Sequence, residues 1–150
     1  MQELNLPAYS VKLKTVSQQS QIFDEVRKKW LVLTPEEWVR QHVIQFLFNS
    51  HHYPLNLMGV EQELKLNGMK RRTDLVVYSN TGAAKMIIEC KAPKVNIDQK
   101  TLDQAARYNL VLKVPYLMIT NGMSHYVLHI NDNGEAEYVN SLPSFEVLCG

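Results

Sequence analysis

The stretch "MIIECKAPK", residues 86–94, places an acid and a base two positions apart inside an otherwise apolar run. A buried strand normally excludes charged side chains, because an unpaired ion in the protein interior costs several kcal/mol. Alternate side chains of a strand point to opposite faces, so Glu89 and Lys91 share one face while Ile88 and Cys90 share the other. We therefore expect Cys90 to be buried under a helix, and the two charged side chains to have partners that balance them.

The acidic partners are expected in the two strand-like segments that precede this run. "NLMGVEQELKL" and "MKRRTDLVVYS" flank an Asn-Gly pair at residues 67–68, which is the strongest short signal for a hairpin turn. A two-residue turn there sets Glu61 opposite Asp74. A hairpin loop of about six residues around "NTGAA" then brings Asp74 opposite Glu89 or Lys91. Because directly paired residues project from the same face, we predict that Asp74, Glu89 and Lys91 lie together.

Two carboxylates and an ammonium on one face allow two interpretations. Hard divalent cations such as Mg²⁺ take one or two carboxylates together with water and a substrate phosphate. In such a site Asp74 and Glu89 would hold the metal, and Lys91 would orient the attacking water or stabilise the charge that develops at phosphorus. In the other interpretation the same side chains form a solvated salt-bridge cluster, which contributes little to stability. The residues alone leave both interpretations open.

Helix signals on either side of these strands predict the fold class. Thr34 stands at a helix N-cap position, Pro35 follows at the first helical position, and acids occupy the first turn. Residues 98–112 also have a helical pattern, and a helix of this length allows a crossover between parallel strands. We therefore predict an α/β fold, with a mixed central sheet flanked by helices, whose core is formed by residues 34–131.

The two ends of the chain carry weaker signals. Residues 1–33 are predicted to be an N-terminal extension, with a short strand in "YSVKLKTV" and then a segment that begins as a helical turn and ends extended. Residues 132–150 are predicted to be a C-terminal tail with weak strand character near Glu137 to Val139. At 150 residues the whole chain is expected to form one domain.

The composition argues against several classes of protein. Sixteen basic residues against fifteen acidic residues give a net charge of +1, so a nucleic acid would have to be bound by a local patch. The two cysteines, Cys90 and Cys149, suggest neither a disulfide framework nor a zinc site, and they favour a reducing compartment. No run approaches the roughly 20 apolar residues that span a bilayer. We therefore expect a cytoplasmic protein without a membrane partner.

Five blocks of sequence, taken in order, resemble the N-terminal nuclease domain of type I restriction enzyme R subunits and of their stand-alone relatives. The blocks are "KKWLVLTPEEWVRQHVIQFL", "KRRTDLVVY", "IIECKAP", "LDQAARYN" and "YLMITNG", and the resemblance as a whole spans about residues 22–125. The resemblance implies a restriction-endonuclease-like fold of the PD-(D/E)XK superfamily and a metal-dependent endonuclease that hydrolyses DNA. Thr73 stands where the superfamily motif has proline, at a position that varies.

The resemblance also implies roles for individual residues. Asp74 and Glu89 would bind Mg²⁺ or Mn²⁺, and Lys91 would serve the attacking water. Gln104 and Tyr108 match a Gln-X-X-X-Tyr motif that lies next to the catalytic site in this family. Because the two residues are four apart on a predicted helix, they share one face of it.

An acid on the first helix often completes the metal site in this family. The candidates here are Glu36 and Glu37. Glu37 has a competing role, because it lies three residues after Thr34, in the position of a capping box. The hairpin geometry adds Glu61 as another candidate ligand.

Five basic residues near the predicted site are candidates for binding DNA: Lys70, Arg71, Arg72, Lys94 and Lys100. Such residues can contact phosphates independently of base sequence. A basic run of this kind is also typical of a solvated strand end, so both interpretations stay open.

The R subunits of the resembled family continue into a large ATP-driven translocase. These 150 residues contain no Gly-rich phosphate loop that ends in Gly-Lys-Ser or Gly-Lys-Thr. The expected partners are therefore DNA and either restriction-modification subunits or a separate motor protein. The alternative function is a catalytically weak module that keeps the nuclease fold and docks DNA or protein.

Overall fold

The computed structural model describes residues 1–150 and has the predicted α/β fold, a mixed sheet with helices on both faces. The helices are α1 Pro35–His51, α2 Gln99–Leu112 and α3 Phe145–Cys149, with a 3₁₀ turn at Leu55–Leu57. The strands are β1 Leu13–Val16, β2 Gln19–Asp24, β3 Lys29–Val32, β4 Met58–Val60, β5 Glu63–Leu66, β6 Met69–Arg72, β7 Leu75–Tyr78, β8 Ala84–Cys90, β9 Tyr116–Thr120, β10 His125–Ile130 and β11 Ala136–Tyr138. None of the helices combines the length and the apolar character that crossing a bilayer would need.

The central sheet has six strands in the order β11-β10-β9-β8-β7-β4. Strand β8 pairs in parallel with β9 and antiparallel with β7, so the predicted parallel crossover through α2 is confirmed. Along β8, Met86, Ile88 and Cys90 belong to the core cluster under α1, whereas Ile87 packs with Leu112 of α2. Helices therefore cover both faces of β8, and successive side chains of this strand enter different surroundings.

Helix α1 begins where the capping signal predicts. The Thr34 side chain accepts a hydrogen bond from the backbone N–H of Glu37 at 3.0 Å. Val39, Val43 and Leu47 recur at helical spacing and are fully buried against the central sheet. Burial of each side chain contributes about 2 kcal/mol, which holds α1 over the sheet.

The long predicted hairpin is interrupted once on each strand. Its outer part is a two-stranded ribbon of β5 and β6, which turns at residues 67–68 as predicted, and its inner part, β4 and β7, belongs to the central sheet. At the break, Glu61 has a left-handed backbone with φ of 55°. Thr73 donates both its backbone N–H and its hydroxyl to the Gln62 carbonyl, each at 2.8 Å. These bonds keep the two strands in register across the bend.

The β5–β6 ribbon leans on α2 instead of extending the central sheet. Leu64 and Met69 pack against the buried cluster of Ile87, Leu112 and Val114. This contact brings the residues of β6 to the side of the sheet that α2 covers.

The N-terminal extension differs from the prediction. The segment that was expected to begin as a helical turn forms the β2–β3 hairpin, and with β1 it makes a separate antiparallel three-stranded sheet. The reason lies in the turn, where the buried Asp24 carboxylate accepts hydrogen bonds from the backbone N–H groups of Val26 and Arg27 and from Arg27 Nε at 2.6 Å. This local network stabilises a hairpin that the polar sequence "SQQSQIFD" does not reveal.

Both ends of the chain contribute to the core under α1. Leu4 and Leu148 are buried in the same cluster as the apolar side chains of α1. Helix α3, which no sequence signal predicted, begins after Ser144, whose hydroxyl accepts a hydrogen bond from the Val147 N–H at 3.2 Å. Strand β11 lies close to the predicted strand character of the tail.

Candidate functional site

Two cavities lie on either side of the end of β8. The α2-side cavity has a volume of about 200 Å³ and is lined by Arg71, Glu89, Lys91, Thr101, Gln104, Ala105 and Tyr108. The α1-side cavity has a volume of about 450 Å³, and its lining includes Arg27, Lys29, Glu36, Glu37, Arg40, Glu61, Asp74 and Cys90. Together the two cavities contain every residue that was predicted to bind a metal or to act in catalysis.

The α2-side cavity brings together four of the five predicted catalytic residues. Glu89 reaches it from β8 and Lys91 from the segment directly after β8, while Gln104 and Tyr108 reach it from successive turns of α2. Lys91 is half-buried and takes part in none of the salt bridges of the structure. Its ammonium is therefore a charge that no protein carboxylate neutralises.

Arg71 occupies the space between Glu89 and Tyr108. Its guanidinium forms an ion pair with the Glu89 carboxylate and lies over the Tyr108 ring, 4.3 Å from the ring centre. Arg71 reaches this position because the β5–β6 ribbon leans on α2. The structure thus places Arg71 inside the cavity, half-buried, rather than at a solvated strand end. No signal in the sequence identified this contact.

The other basic candidates lie at the surface. Lys94 and Lys100 are exposed, and Lys70 and Arg72 are exposed with acidic neighbours at 3.8 Å and 3.1 Å. Exposed pairs of this kind contribute about 0–1 kcal/mol. Lys70 and Arg72 can therefore exchange their protein carboxylates for other anions, and Lys94 and Lys100 form no salt bridge that an anion would have to replace.

On the α1 side, Glu37 is held by a buried ion pair. Its carboxylate accepts hydrogen bonds from Arg40 Nε at 2.9 Å, from Arg40 Nη2, and from Gln41 Nε2 at 2.9 Å. Burial would lower the pKa of Arg40, but the hydrogen bond and the charge of Glu37 raise it well above its usual range. The Glu37 carboxylate therefore binds Arg40 and Gln41, and the capping box with Thr34 is incomplete. Only the backbone N–H of Glu37 takes part in the cap. Glu36, the other candidate on α1, lines the cavity but is exposed.

Sequence reasoning missed Arg40 as a partner of Glu37. A signal was present, because the two residues are three apart on a predicted helix, a spacing that brings opposite charges together.

Glu61 lies opposite Asp74, as the predicted register requires, and its backbone N–H donates to the Asp74 carbonyl at 3.0 Å. Its carboxylate faces Arg27 at 3.5 Å, Arg40 at 3.4 Å and Arg72 at 3.1 Å. Burial would raise the pKa of Glu61, but the hydrogen bond from Arg72 and the charges of Arg40 and Arg27 hold it below its usual range. Glu61 is therefore ionised and shared among three arginines.

Asp74 and Glu89 are neighbours across β7 and β8. Leu75 pairs with Ile88. Asp74, which precedes Leu75, therefore lies beside Glu89, which follows Ile88. Asp74 does not follow the alternation of the strand, because β7 begins only at Leu75. Its carboxylate accepts a hydrogen bond from the backbone N–H of Cys90 at 2.8 Å. The single face expected for the three charged residues is thus divided: Asp74 borders the α1-side cavity, and Glu89 borders the α2-side cavity.

Cys90 is buried under α1, as predicted. It is 5% exposed and belongs to the same core cluster as Ile88. Burial, and to a lesser extent the nearby Asp74 carboxylate, raises the pKa of the Cys90 thiol well above its usual range. The thiol therefore stays protonated and supplies no thiolate ligand.

The donor chemistry at Asp74 and Glu89 fits a hard divalent cation. The two residues present carboxylate oxygens from neighbouring strands, and Mg²⁺ usually takes one or two carboxylates, with water in its remaining positions. No group of three or more His, Cys, Asp or Glu side chains is arranged to hold a metal ion. The protein would therefore contribute two carboxylates from opposite residues that border different cavities, and Glu89 already has an arginine partner.

The chain is similar to known proteins in sequence and in structure. Residues 35–143 match the sequence profile of the type I restriction enzyme R protein N terminus (HSDR_N). No curated protein sequence matches the chain. Among solved structures, a fragment of a protein assigned as an HsdR subunit of a type I restriction enzyme, from Vibrio vulnificus YJ016, has a TM-score of 0.53 and 18% identity, over 77% of this chain and 24% of that chain.

A second solved structure, a protein from Anabaena variabilis ATCC 29413 assigned as a nuclease of the DUF820 group, has a TM-score of 0.49 and 12% identity, over 89% of this chain and 91% of that chain. The chain spans about a quarter of the length of the Vibrio fragment, and the likeness to that fragment shows the fold. The profile match runs from the start of α1 to the tail, and it includes the whole lining of the α2-side cavity and Glu37, Glu61 and Asp74 of the α1-side cavity. The chain therefore belongs to the family of the type I restriction enzyme R protein N terminus.

Proposed function

We propose that this chain is a metal-dependent endonuclease domain that hydrolyses phosphodiester bonds of DNA. One observation carries the proposal: Glu89, Lys91, Gln104 and Tyr108 surround one cavity, and Asp74 lies opposite Glu89, directly before strand β7. Membership of the R protein N-terminal family supports it. The assignment of the Vibrio protein to a type I restriction enzyme supports a role in restriction, with DNA and restriction subunits as partners.

The residues have distinct roles in this proposal. Asp74 and Glu89 would hold Mg²⁺ or Mn²⁺, with water and a substrate phosphate as the other ligands. Such a cation, when bound, polarises a phosphoryl oxygen and lowers the pKa of water. Lys91 would orient the attacking water or stabilise the charge that develops at phosphorus, since no carboxylate neutralises its ammonium. Gln104, exposed at the mouth of the cavity, can contact a phosphate or sugar oxygen.

Arg71 has to leave Glu89 before that carboxylate can take a cation. A DNA phosphate offers the guanidinium another anionic partner of suitable geometry. Tyr108 would keep the Arg71 guanidinium inside the cavity while Arg71 exchanges Glu89 for a phosphate, because the ring contacts the guanidinium independently of Glu89. The proposal thus gives the Tyr of the Gln-X-X-X-Tyr motif a positioning role.

Nicking of supercoiled plasmid DNA by the purified chain tests the proposal. The wild type should nick the plasmid in Mg²⁺ or Mn²⁺ and should be inactive in EDTA. Lys91→Ala should slow nicking by about 10²–10³-fold, as expected when one group that stabilises developing charge is removed. Metal binding, followed as a shift in melting temperature, should persist in this variant.

Lys85→Ala is the matched control, because Lys85 lies on β8 and shares the face of Glu89. This variant should nick like the wild type. No nicking by the wild type at any metal concentration, together with no metal-dependent shift in its melting temperature, would contradict the proposal.

The second candidate function is a catalytically weak docking module that keeps this fold. The pairs Glu37–Arg40 and Glu89–Arg71 favour it, because both carboxylates are neutralised by the protein itself. A wild-type chain that binds DNA, but neither binds Mg²⁺ nor nicks, would have this function.

A further inference from the structure

The three-stranded N-terminal sheet has one face that packs inward and one face that is exposed. Cross-strand pairing places Ile22 opposite Leu31 on the inner face and Phe23 opposite Trp30 on the outer face. Ile22 is fully buried, whereas Trp30 is 36% exposed. The backbone N–H of Phe23 donates to the carbonyl of Lys12, so Lys12 lies in the same outer row.

The outer face combines aromatic rings with ammonium groups. Phe23 and Trp30 meet edge to face, with their ring centres 5.3 Å apart. Lys14 Nζ lies 4.4 Å from the centre of the Trp30 ring, and Lys12 Nζ lies 5.0 Å from the centre of the Phe23 ring. An ammonium group thus lies over each of the two rings.

Positive charge is concentrated in this part of the chain. Residues 11–33 have a net charge of +3, whereas the whole chain has +1. The charged residues of the segment are Lys12, Lys14, Arg27, Lys28 and Lys29, against Asp24 and Glu25. The rest of the chain is therefore slightly acidic, so this segment attracts a polyanion more strongly than the average of the chain.

We infer that the outer face of this sheet binds single-stranded DNA, with bases stacked on Trp30 and Phe23 and phosphates paired with Lys12 and Lys14. Every base has a π-face, so stacking of this kind tolerates any sequence. A stacking base replaces the ammonium over each ring, and the freed lysine meets an adjacent phosphate. A duplex fits this face less well, because it keeps the faces of its bases within its own stack.

Strand β3 links the outer face to the candidate site. Trp30 points outward, whereas its neighbours Lys29 and Leu31 line the α1-side cavity, which also contains Asp74. Because β3 is an edge strand, a DNA strand that crosses it passes from the stacking face to Asp74. The inference rests on the proposed function for its choice of DNA as the polyanion, and it adds that the DNA next to the site is unpaired.

Fluorescence anisotropy of labelled oligo(dT), with the full chain in EDTA, measures binding in the absence of cleavage. Trp30→Leu should weaken binding by about tenfold. The double variant Lys12→Gln, Lys14→Gln should reduce the slope of log K against log salt concentration by about 1.4. Lys65→Gln is the control, because Lys65 is 67% exposed on the β5–β6 ribbon, compared with 61% for Lys12, and it should change neither quantity.

Thermal melts of each variant separate loss of the fold from loss of the contact. If Trp30→Leu unfolds, the double lysine variant decides the question, since exposed lysines contribute little to the stability of the fold. Tighter binding of a duplex than of oligo(dT), or folded variants that bind like the wild type, overturns the inference even if the wild type nicks plasmid DNA. Binding that depends on Trp30 or on the two lysines, in a chain that does not nick, supports the inference while the proposed cleavage fails.

Discussion

The two cavities beside β8 contain similar charged groups but engage them differently. On the α1 side, Glu37 and Glu61 are held by arginines, and Arg40 serves both carboxylates. On the α2 side, Glu89 has one arginine partner and Lys91 has no carboxylate partner. Carboxylates with several fixed partners stabilise a fold, whereas a group without a partner is available to a substrate. The larger cavity holds more charge, most of it paired within the protein, whereas the smaller cavity and the adjacent Asp74 offer charged groups that a metal ion or a substrate can use.

The largest effect on stability is expected at Arg40. Arg40→Met leaves the buried Glu37 carboxylate without its main partner, which costs about 3–5 kcal/mol. In a chain of this length each kcal/mol lowers the melting temperature by about 2–4 °C, so thermal unfolding measures the effect easily.

Arg72→Met is the control for Arg40. Arg72 is an exposed partner of Glu61, and its loss should change the free energy of unfolding by less than about 1 kcal/mol. Equal losses of stability in the two variants would contradict the structural role that we assign to the buried Glu37–Arg40 pair.

Asp24 should make the α1-side network sensitive to acid. Burial would raise the pKa of Asp24, but hydrogen bonds from the Arg27 side chain and from the backbone N–H groups of Arg27 and Val26 lower it. A carboxyl with a folded-state pKa below its unfolded value stabilises the fold above the unfolded pKa of about 3.9. This stabilisation is lost as the pH falls through the folded-state pKa.

Asp24→Asn should therefore lower the free energy of unfolding by about 2 kcal/mol at neutral pH, because it removes charged hydrogen bonds. The variant should also lose less stability than the wild type when the pH falls below about 4. Urea unfolding over a series of pH values measures both effects. Parallel pH curves for the two proteins would mean that Asp24 does not carry the acid sensitivity.

The smallest effect is expected in metal affinity on the α2 side. Arg71→Gln removes the cation that competes for Glu89, so the affinity for Mn²⁺ should rise by about fivefold. This factor corresponds to the free energy that a partly exposed ion pair contributes. The Mn²⁺-dependent rise in melting temperature, without DNA, measures it. Arg107→Gln changes an exposed arginine of the same helix as Tyr108 and should bind Mn²⁺ like the wild type. Unchanged or weaker binding in Arg71→Gln would show that Arg71 is not a competitor.

The elements that sequence predicted well are those whose ends carry a local chemical signal. Thr34 caps α1, Asp98 caps α2, and the Asn-Gly pair at residues 67–68 sets the turn of the ribbon. Counting back from that turn was enough to place Glu61 opposite Asp74. The same logic brought the residues of the α2-side cavity together, because a crossover helix returns over the strand that precedes it.

The rest depended on packing that no local signal describes. Glutamate rarely adopts a left-handed backbone, so nothing in the sequence marks the break at Glu61. Because of that break, Arg71 reaches Tyr108. Because β7 begins only at Leu75, Asp74 lies outside the strand and its side chain does not follow the alternation of the strand. Arginine side chains are long and find partners far away in sequence, which is why the carboxylates were predicted and their guanidinium partners were not.

The bent hairpin determines how this chain tolerates changes of length. Gly68, at the tip of the β5–β6 ribbon, has open space where a side chain would stand, so extra residues there lie outside the paired strands and leave both cavities intact. One residue added between Arg71 and Asp74 would instead move the side chains of β6 to the opposite face relative to those of β7, because side chains alternate along a strand. Arg71 would then point away from Glu89. Evolution and engineering can lengthen this hairpin at its turn, but along its strands only in steps of two residues.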